Sequence, residues 1–226
     1  MQRYAIYYAP APGELADFTA SWLGWDPGAA RVVDHPQLGG LPAPVAALTD
    51  TPRKYGFHGT IKPPFHLAGG TDAAGLQAAV AALAARLAPV VLPGLRLVDL
   101  HGFVALVPAG DTTALATLAA EVVMGLDAFR APPSPQEIAR RRPDALSDRQ
   151  RALLAQWGYP HVMDQFQFHL TLTGTVSAVH SAAVVAALRP HLTPLLPQPF
   201  VVRDLALFGQ AGDGMFRILH RYPLTG

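Results

Sequence analysis

Tyr55-Gly56-Phe57-His58-Gly59-Thr60-Ile61-Lys62 is the stretch that decides the fold, because the chain carries a second copy of its pattern. That copy is Phe166-Gln167-Phe168-His169-Leu170-Thr171-Leu172-Thr173. Both contain Phe-His-x-Thr followed by an apolar residue. The two histidines are 111 residues apart (169 − 58), which is about half of the 226-residue chain. This spacing predicts one site built from two halves of the chain.

Both copies are predicted to be β-strands, in which side chains alternate between the two faces. Each copy then has one polar face, made by His58, Thr60 and Lys62 in the first and by Gln167, His169, Thr171 and Thr173 in the second. The intervening apolar residues would face a core. Two such strands lying side by side would bring two imidazoles and two hydroxyls to one cavity.

The composition of the chain limits its class and its partners. Half of the residues are hydrophobic and 15% are charged, which is typical of a compact globular protein. The absence of cysteine excludes disulfides, thiolate nucleophiles and cysteine metal sites. A net charge of +1 argues against a long nucleic acid as partner. No signal-peptide pattern and no run of about 18 apolar residues occurs, so we expect a cytoplasmic protein without a membrane span.

The order of predicted elements supports a duplication. The first half is predicted to begin with a strand over 3–8, a helix over 14–23 stopped by Gly24, and a loop over 25–52. The motif strand follows and is ended by Pro63-Pro64. After it come a helix from Thr71 or Asp72 to about Leu87 and a hairpin of strands within 90–107 that turns near Gly102. A further helix begins at Asp111 or Thr112. The second half repeats the plan with the second motif strand, a helix over 177–188, and strands over 200–207 and 215–222.

These elements predict an α+β fold with an internal pseudo-twofold axis. We expect two antiparallel sheets, one in each lobe, around a central cleft, with helices outside. Residues 1–226 are treated as a single domain, and residues 132–160 form a helical insertion rich in arginine.

Paired His-x-Thr motifs on the strands of a duplicated α+β chain resemble the two-histidine (2H) phosphoesterase superfamily. Longer blocks resemble a bacterial branch of it that is associated with phosphonate metabolism: Arg3 to Tyr7, Tyr55 to Phe65, and Trp157 to Pro160 before Phe166 to Gly174. The resemblance implies a bilobal fold, phosphoester chemistry without a metal, and no cofactor. That the phosphate ester is cyclic rests on this resemblance alone.

The residue types fit that chemistry. Cleavage of a phosphodiester needs a base to activate water and an acid to protonate the leaving oxygen, and histidine can do either near neutral pH. We expect His58 and His169 to share these roles, in an order that the sequence does not specify. Thr60 and Thr171 would donate hydrogen bonds to the phosphate. Substrate binding is assigned to three further residues: Tyr8, Lys62 and Thr173.

Two structural alternatives stay open at this stage, and seven further histidines need an assignment. A two-histidine metal site would need a third ligand, for which Asp99 and Asp164 are the candidates by elimination. The arginines from Arg140 to Arg151 form either a solvated face or a lid that closes on an anionic substrate. The histidines without a matched partner are assigned structural roles: His35, His66, His101, His161, His180, His191 and His220.

The main functional hypothesis is a metal-independent phosphodiesterase that hydrolyses a small cyclic phosphate of a sugar or nucleotide, with a link to phosphonate metabolism. The competing hypotheses are an RNA-end 2′,3′-cyclic phosphodiesterase or ligase-like protein, and a non-catalytic module that binds a phosphorylated ligand. In each case the partner is expected to be a small phosphorylated molecule. The oligomeric state is left open.

Overall fold

The computed structural model describes residues 1–226 and contains eleven strands and eight α-helices. The strands are β1 (Arg3–Tyr8), β2 (Trp25–Asp26), β3 (Arg31–Val32), β4 (Gly59–Phe65), β5 (Val90–Leu92), β6 (Leu95–Asp99), β7 (Val104–Pro108), β8 (Leu170–Thr171), β9 (Phe200–Val202), β10 (Asp204–Gln210) and β11 (Phe216–Pro223). The helices are α1 (Glu14–Leu23), α2 (Val45–Leu48), α3 (Asp50–Arg53), α4 (Ala73–Ala84), α5 (Thr113–Gly125), α6 (Pro135–Arg140), α7 (Asp148–Trp157) and α8 (Ala178–Leu192). None of the helices combines the length and the hydropathy that crossing a bilayer requires.

Seven strands form one sheet in the order β11-β10-β1-β4-β8-β7-β6. Every neighbouring pair in this sheet is antiparallel. Two small pairs, β2 with β3 and β5 with β9, lie outside it. The predicted α+β class with antiparallel strands is therefore confirmed.

The two halves of the sheet meet at a narrow seam between β4 and β8. A single residue pair, Gly59 with Leu170, joins these two strands. The strand order is symmetric about the seam, with β1 and β7 in equivalent places and β10 and β6 outside them. The two lobes expected from the sequence thus share one continuous sheet, and β11 has no counterpart.

The symmetry also places the start of the second repeat. Because β7 occupies the place of β1, the second half begins at Val104, and its motif strand β8 follows much later in the chain. The sequence pattern alone predicts that the strand near residue 104 belongs to the first half, as the last strand of a hairpin. The hairpin itself is present, since β6 and β7 pair along their length across the turn at Gly102, which has a φ of 92°.

The ends of the helices are determined by capping residues that can be recognised in the sequence. Helix α1 ends at Gly24, whose φ of 76° lies in the left-handed region that glycine adopts without strain. The carboxylate of Asp72 caps α4 by accepting a hydrogen bond from the Gly75 amide at 2.7 Å. Helices α6 and α7 begin at Ser134 and Ser147, each with a complete capping box. Residues 132–160 therefore contain two capped helices.

The first motif strand extends further than expected. Pro63 and Pro64 were predicted to end it, but β4 continues through both prolines to Phe65, which pairs with Tyr4 of β1. Proline lacks an N–H donor and is tolerated where a strand has an unpaired edge. Since β8 pairs with β4 only at Gly59, the opposite edge of β4 is free at the prolines.

Two other segments differ from the expectation in length. The second motif was predicted to be a strand from Phe166 to Thr173, but only Leu170 and Thr171 form β8. Residues 25–52 were predicted to be a loop, and they contain the pair β2–β3 and the helices α2 and α3. The sheet covers a core of apolar residues from both halves, including Ile6, Ile61 and Leu106.

Candidate active site

The cleft lies at the seam and consists of two adjoining cavities of about 250 and 220 Å³. Thr60, Pro63 and Tyr159 line both of them. His58 and Thr171 line the larger cavity, and His169 lines the smaller. The structure thus brings together the four residues predicted to be catalytic.

The two imidazoles are held in the same way. The Nδ1 atom of His58 lies 2.9 Å from the Gly56 carbonyl oxygen, and that of His169 lies 2.9 Å from the Gln167 carbonyl oxygen. A carbonyl oxygen can only accept, so Nδ1 of each ring must donate its hydrogen. Each neutral ring therefore keeps its lone pair on Nε2, which is the nitrogen free to exchange a proton.

His58 is the more enclosed of the two rings. The Tyr7 ring stacks on it with centroids 4.0 Å apart and an interplanar angle of 29°. The pKa of His58 is lowered to about 4, chiefly by burial and slightly by the nearby His169, against the opposing effect of the Gly56 carbonyl. His58 is therefore a neutral base over the whole neutral pH range.

His169 has a more open environment. Its aromatic neighbour is Phe103, at 5.5 Å between ring centroids and tilted by 59°. Burial lowers the pKa of His169 from its ordinary value, and the bond to the Gln167 carbonyl opposes this change. The cause of the difference lies on the strands beside the two motifs. Tyr7 of β1 pairs with Thr60, whereas Ala105 of β7 pairs with Thr171. The pseudo-twofold axis thus relates a tyrosine to an alanine.

The three threonines of the motifs play different parts. The hydroxyls of Thr60 and Thr171 make no hydrogen bond within the protein and border the cleft. Thr173 also lines the larger cavity, but it is 1% exposed and its hydroxyl oxygen accepts a hydrogen bond from the Val104 amide at 2.9 Å. Thr173 therefore ties β7 to the end of the second motif, and only its hydroxyl hydrogen is left for a ligand.

Lys62 does not reach the cleft, contrary to the prediction. Its side chain is 2% exposed, and its ammonium donates to the Val123 carbonyl at 3.0 Å and contacts Asp127 at 3.5 Å. The cause is a β-bulge, because Tyr7 pairs with Thr60 whereas Ile6 pairs with Lys62. One step along β1 thus corresponds to two steps along β4, and the alternation that placed Lys62 beside Thr60 is broken.

Tyr8, the second residue assigned to substrate binding, also lies outside the cleft. Its ring packs against Phe200 at 5.0 Å and Phe168 at 6.2 Å, on the opposite face of β1 from Tyr7. Tyr7 takes the place that had been given to Tyr8. The alternation of β1 would have identified Tyr7 only if the pairing of β1 with the first motif had been known.

Three residues of the cleft were not predicted from the sequence, and a fourth, Arg141, belongs to the arginine segment for which a lid was left open as an alternative. Arg3, Tyr55, Arg141 and Tyr159 line the larger cavity. Arg3 lies four residues before Tyr7 on the same strand, so both side chains are on one face. The guanidinium of Arg141 stacks over the Tyr159 ring at 4.5 Å from its centroid.

Two histidines that had been assigned structural roles also belong to the cleft. His101 and His161 line the smaller cavity together with His169. Burial, Arg141 and His169 together lower the pKa of His161. His101 and His161 therefore lie beside His169 in the cleft, and their roles stay untested. Neither has a sequence motif that would have marked it.

The arginines of the insertion divide into two groups. Arg149 pairs with Asp164 and Arg151 pairs with Asp148, so both are engaged at the surface. Arg141 alone of the segment from Arg140 to Arg151 lines the cleft cavities.

The two acidic residues considered as a third metal ligand bind elsewhere. Asp164 accepts hydrogen bonds from the Arg149 side chain, and Asp99 accepts one from the Gly102 amide at 2.9 Å. No group of three histidine, aspartate or glutamate side chains in the chain is arranged to hold a metal ion.

The ionisable side chains of the cleft include basic residues but no carboxylates. Four histidines and two arginines line the two cavities, and none of the 16 aspartates and glutamates of the chain does. The pKa of Tyr7 is raised well above its ordinary value and that of Tyr159 is raised, in both cases chiefly by burial, so both phenols stay protonated and able to donate. The cleft is therefore built to receive an anion.

Residues 60–217 match a family described as "Protein of unknown function (DUF1045)". The match begins at Thr60 and includes the whole second motif.

Two curated relatives share substantial sequence identity with the chain. A protein of Janthinobacterium sp. (strain Marseille) named "Ribose 1,5-bisphosphate phosphokinase PhnN" is 37% identical over 76% of this chain and 39% of its own length. A protein of the same name from Laribacter hongkongensis (strain HLHK9) is 35% identical over 94% of this chain and 49% of its own length. The chain thus spans less than half of each of these relatives.

Among solved structures, the chain is similar to E. coli LigT, which was crystallised with 3′-AMP. The TM-score is 0.44 and the identity 17%, with 100% of this chain and 99% of that chain covered.

Proposed function

The chain belongs to the DUF1045 family of proteins of unknown function, and on this premise we propose that it is a phosphodiesterase that hydrolyses a small cyclic phosphodiester. The observation that carries the proposal is the matched pair of imidazoles. Each Nδ1 is bound to a backbone carbonyl at 2.9 Å, and each ring borders a cleft without carboxylates. Two such bases beside two free threonine hydroxyls fit an in-line displacement at phosphorus.

The reaction needs only water and the groups of the cleft. One neutral imidazole takes a proton from water as its oxygen bonds to phosphorus, and the protonated second imidazole gives a proton to the ester oxygen that leaves. The products are a phosphomonoester and an alcohol on the same molecule. Thr60 and Thr171 donate to the non-bridging oxygens, where negative charge must be held in the transition state. No step in this scheme calls for a metal ion.

The unequal surroundings of the two histidines favour one assignment of roles. His58, whose pKa is about 4, is the stronger candidate for the base because it stays unprotonated under all ordinary conditions. His169 is the candidate for the acid, since an anionic ligand near it would raise its pKa toward neutrality. Tyr7 supports this division by covering one face of His58 alone.

The names of the relatives support a sugar phosphate of phosphonate metabolism as substrate. Both carry the name of a kinase that acts on ribose 1,5-bisphosphate. Because the chain spans less than half of each relative, the kinase activity is a property of the whole relatives and is not proposed for this chain. The relatives' name points to a ribose phosphate, and the two histidines point to cleavage of a phosphodiester. A cyclic phosphate of ribose satisfies both.

A panel of cyclic phosphates in excess EDTA tests the proposed function. We expect the protein to open at least one of three compounds to a phosphomonoester: ribose 1,2-cyclic phosphate, a nucleoside 2′,3′-cyclic phosphate or a 1″,2″-cyclic phosphate. Product is followed by phosphorus NMR. Turnover of RNA 2′,3′-cyclic ends in preference to all small compounds would instead indicate an RNA-end enzyme. Tight binding of one compound without any turnover would overturn the proposal and leave a binding module.

The dependence of kcat/KM on pH should show an acidic optimum. The productive free enzyme has His58 unprotonated and His169 protonated, and this form is most abundant between the two pKa values. The lower pKa, that of His58, is about 4. The upper pKa, that of His169, lies below the ordinary histidine value of about 6.5. We therefore expect kcat/KM to peak between about pH 4 and 6.5 and to fall tenfold per pH unit above this range. Stopped assays from pH 4 to 9 measure the profile, and an optimum above pH 8 would contradict the assignment.

A further inference from the structure

Two guanidinium groups open onto the same cavity as His58. Arg3 and Arg141 line it, and neither has a carboxylate within salt-bridge distance. Six other cationic side chains are paired with carboxylates: Lys62, Arg130, Arg149, Arg151, Arg217 and Arg221. Arg3 and Arg141 share the lack of a salt bridge with eight further arginines, but they are the two arginines that line the cleft.

Arg3 is held in place without its charge being neutralised. Its Nε donates to the side-chain oxygen of Gln210 at 2.7 Å, and its guanidinium lies over the Phe216 ring at 5.6 Å from the centroid. Gln210 is in turn fixed by a hydrogen bond from its amide to the Gly214 carbonyl at 2.9 Å. Both terminal nitrogens of Arg3 remain without a partner, and their position is set before any ligand arrives.

Tyr7 connects Arg3 to the catalytic residues. Its side chain is 1% exposed and lines the cavity, yet its hydroxyl has no hydrogen-bond partner in the protein. The Tyr7 ring and the Arg3 guanidinium both lie against the Phe216 ring, at 6.3 and 5.6 Å from its centroid. This protonated phenol borders the cavity and is free to donate a hydrogen bond to a ligand there.

The backbone of Arg3 lies well along β1 from the catalytic centre. Arg3 and Tyr7 are four residues apart on β1, which corresponds to about 13 Å between their Cα atoms. Tyr7 pairs with Thr60 in the catalytic centre, whereas Arg3 lies near the end of β4 at which Tyr4 pairs with Phe65. The cavity that Arg3 and Arg141 line also contacts Pro63 and Pro64, along this same stretch of β4.

We propose that Arg3 and Arg141 form an arginine subsite that binds a second phosphoryl group of the substrate. The substrate class is then a small sugar or nucleoside cyclic phosphodiester that also carries a phosphomonoester at its far end. A phosphomonoester has nearly two negative charges at pH 7, which matches two guanidinium groups. This inference rests on the proposed function for the identity of the reacting group, but the subsite can be tested by binding alone.

The test compares matched pairs of substrates. Adenosine 2′,3′-cyclic phosphate and ribose 1,2-cyclic phosphate are each assayed with and without a phosphate on the 5-position of the sugar. We expect the wild type to have a kcat/KM higher by about 100-fold for the phosphorylated member, from two charge-assisted contacts. Arg141→Gln and Arg3→Gln should each lower this preference by roughly 10-fold. Arg142→Gln is the control, since it removes an exposed arginine from the same segment that does not line the cleft.

A binding measurement separates this inference from the proposed function. The His58→Ala/His169→Ala double variant is titrated calorimetrically with ribose 5-phosphate and with ribose, and the titrations are repeated after adding Arg141→Gln. Hydrolysis of both members of each pair at equal kcat/KM would overturn the subsite and leave the proposed function standing. Preferential binding of ribose 5-phosphate that depends on Arg141, without hydrolysis of any compound, would support the subsite and overturn the proposed function. Arg141 is exposed, so its variant should fold even if the half-buried Arg3 does not tolerate replacement.

Discussion

Replacing His58 or His169 by alanine is expected to lower kcat for the cyclic phosphodiester by about 1,000-fold, because each ring transfers one of the two protons of the reaction. The double variant should lose little more than the worse single variant, since either proton transfer is ineffective without the other. Steady-state kinetics in EDTA on the best substrate of the panel measures all three proteins. Retention of activity within threefold by either single variant would exclude the two-histidine mechanism.

Two further variants distinguish chemistry from structure in this experiment. His169→Asn places an amide where Nδ1 stands, so it can still donate to the Gln167 carbonyl, but it has no group that titrates. It should fold like the wild type and be as inactive as His169→Ala. His220→Ala is the matched control, because His220 is an exposed histidine on a strand, β11, outside the cleft. Its activity should equal that of the wild type.

Gly59→Ala is expected to be the most damaging small substitution in the chain. A Cβ at this position would lie 2.2 Å from Cζ of Phe168 and 2.5 Å from Cε2 of the same ring. Phe168 is itself buried against Tyr8, Phe166 and Phe200, so it cannot move aside freely. Overpacking of this kind costs about 3 kcal/mol in the free energy of unfolding. Chemical denaturation measures the loss.

The same substitution should also reduce catalysis, because Phe168 directly precedes His169 and Gly59 directly follows His58. Gly39→Ala is the control: a Cβ there would meet no atom within 4 Å, so the free energy of unfolding should change by less than about 1 kcal/mol. Gly59→Ala/Phe168→Leu tests the cause, since the smaller side chain should restore part of the stability. Equal denaturation midpoints for Gly59→Ala and the wild type would show that the seam is looser than the contact distances indicate.

The repeated motif was sufficient to predict the centre of the site. Once Phe-His-x-Thr is placed on strands, the period of two brings His and Thr to one face, and the two copies must meet if they share a sheet. The helix ends were equally accessible, because Gly24 and Asp72 act through their own backbone geometry and need no distant partner. These features depend on neighbours in sequence, which a sequence displays directly.

The remaining features of the site depend on contacts between distant residues. Lys62 was misplaced because the bulge at Ile61 reverses the alternation, and a bulge is specified by pairing with β1. Tyr7 and Tyr8 are adjacent and chemically alike, so only the register of β1 against the motif strand decides between them. Arg141, His101 and His161 reach the cleft through loops and an insertion whose docking no local pattern encodes. The sequence pattern therefore predicted which histidines and threonines meet at the centre of the cleft, and it did not predict most of the other residues that line it.

The pairing of Thr60 with Tyr7 and of Thr171 with Ala105 has an evolutionary consequence. An ancestor of half the length would have built this cleft as a homodimer, with one motif from each identical subunit. Symmetry would then have forced both histidines into the same surroundings and the same proton affinity. Joining the two copies in one chain removed that constraint, because a tyrosine could arise on one side while an alanine stayed on the other. Under the proposed reaction, the single chain can then keep the base and the acid at fixed positions, whereas in a symmetric dimer the two roles would be interchangeable.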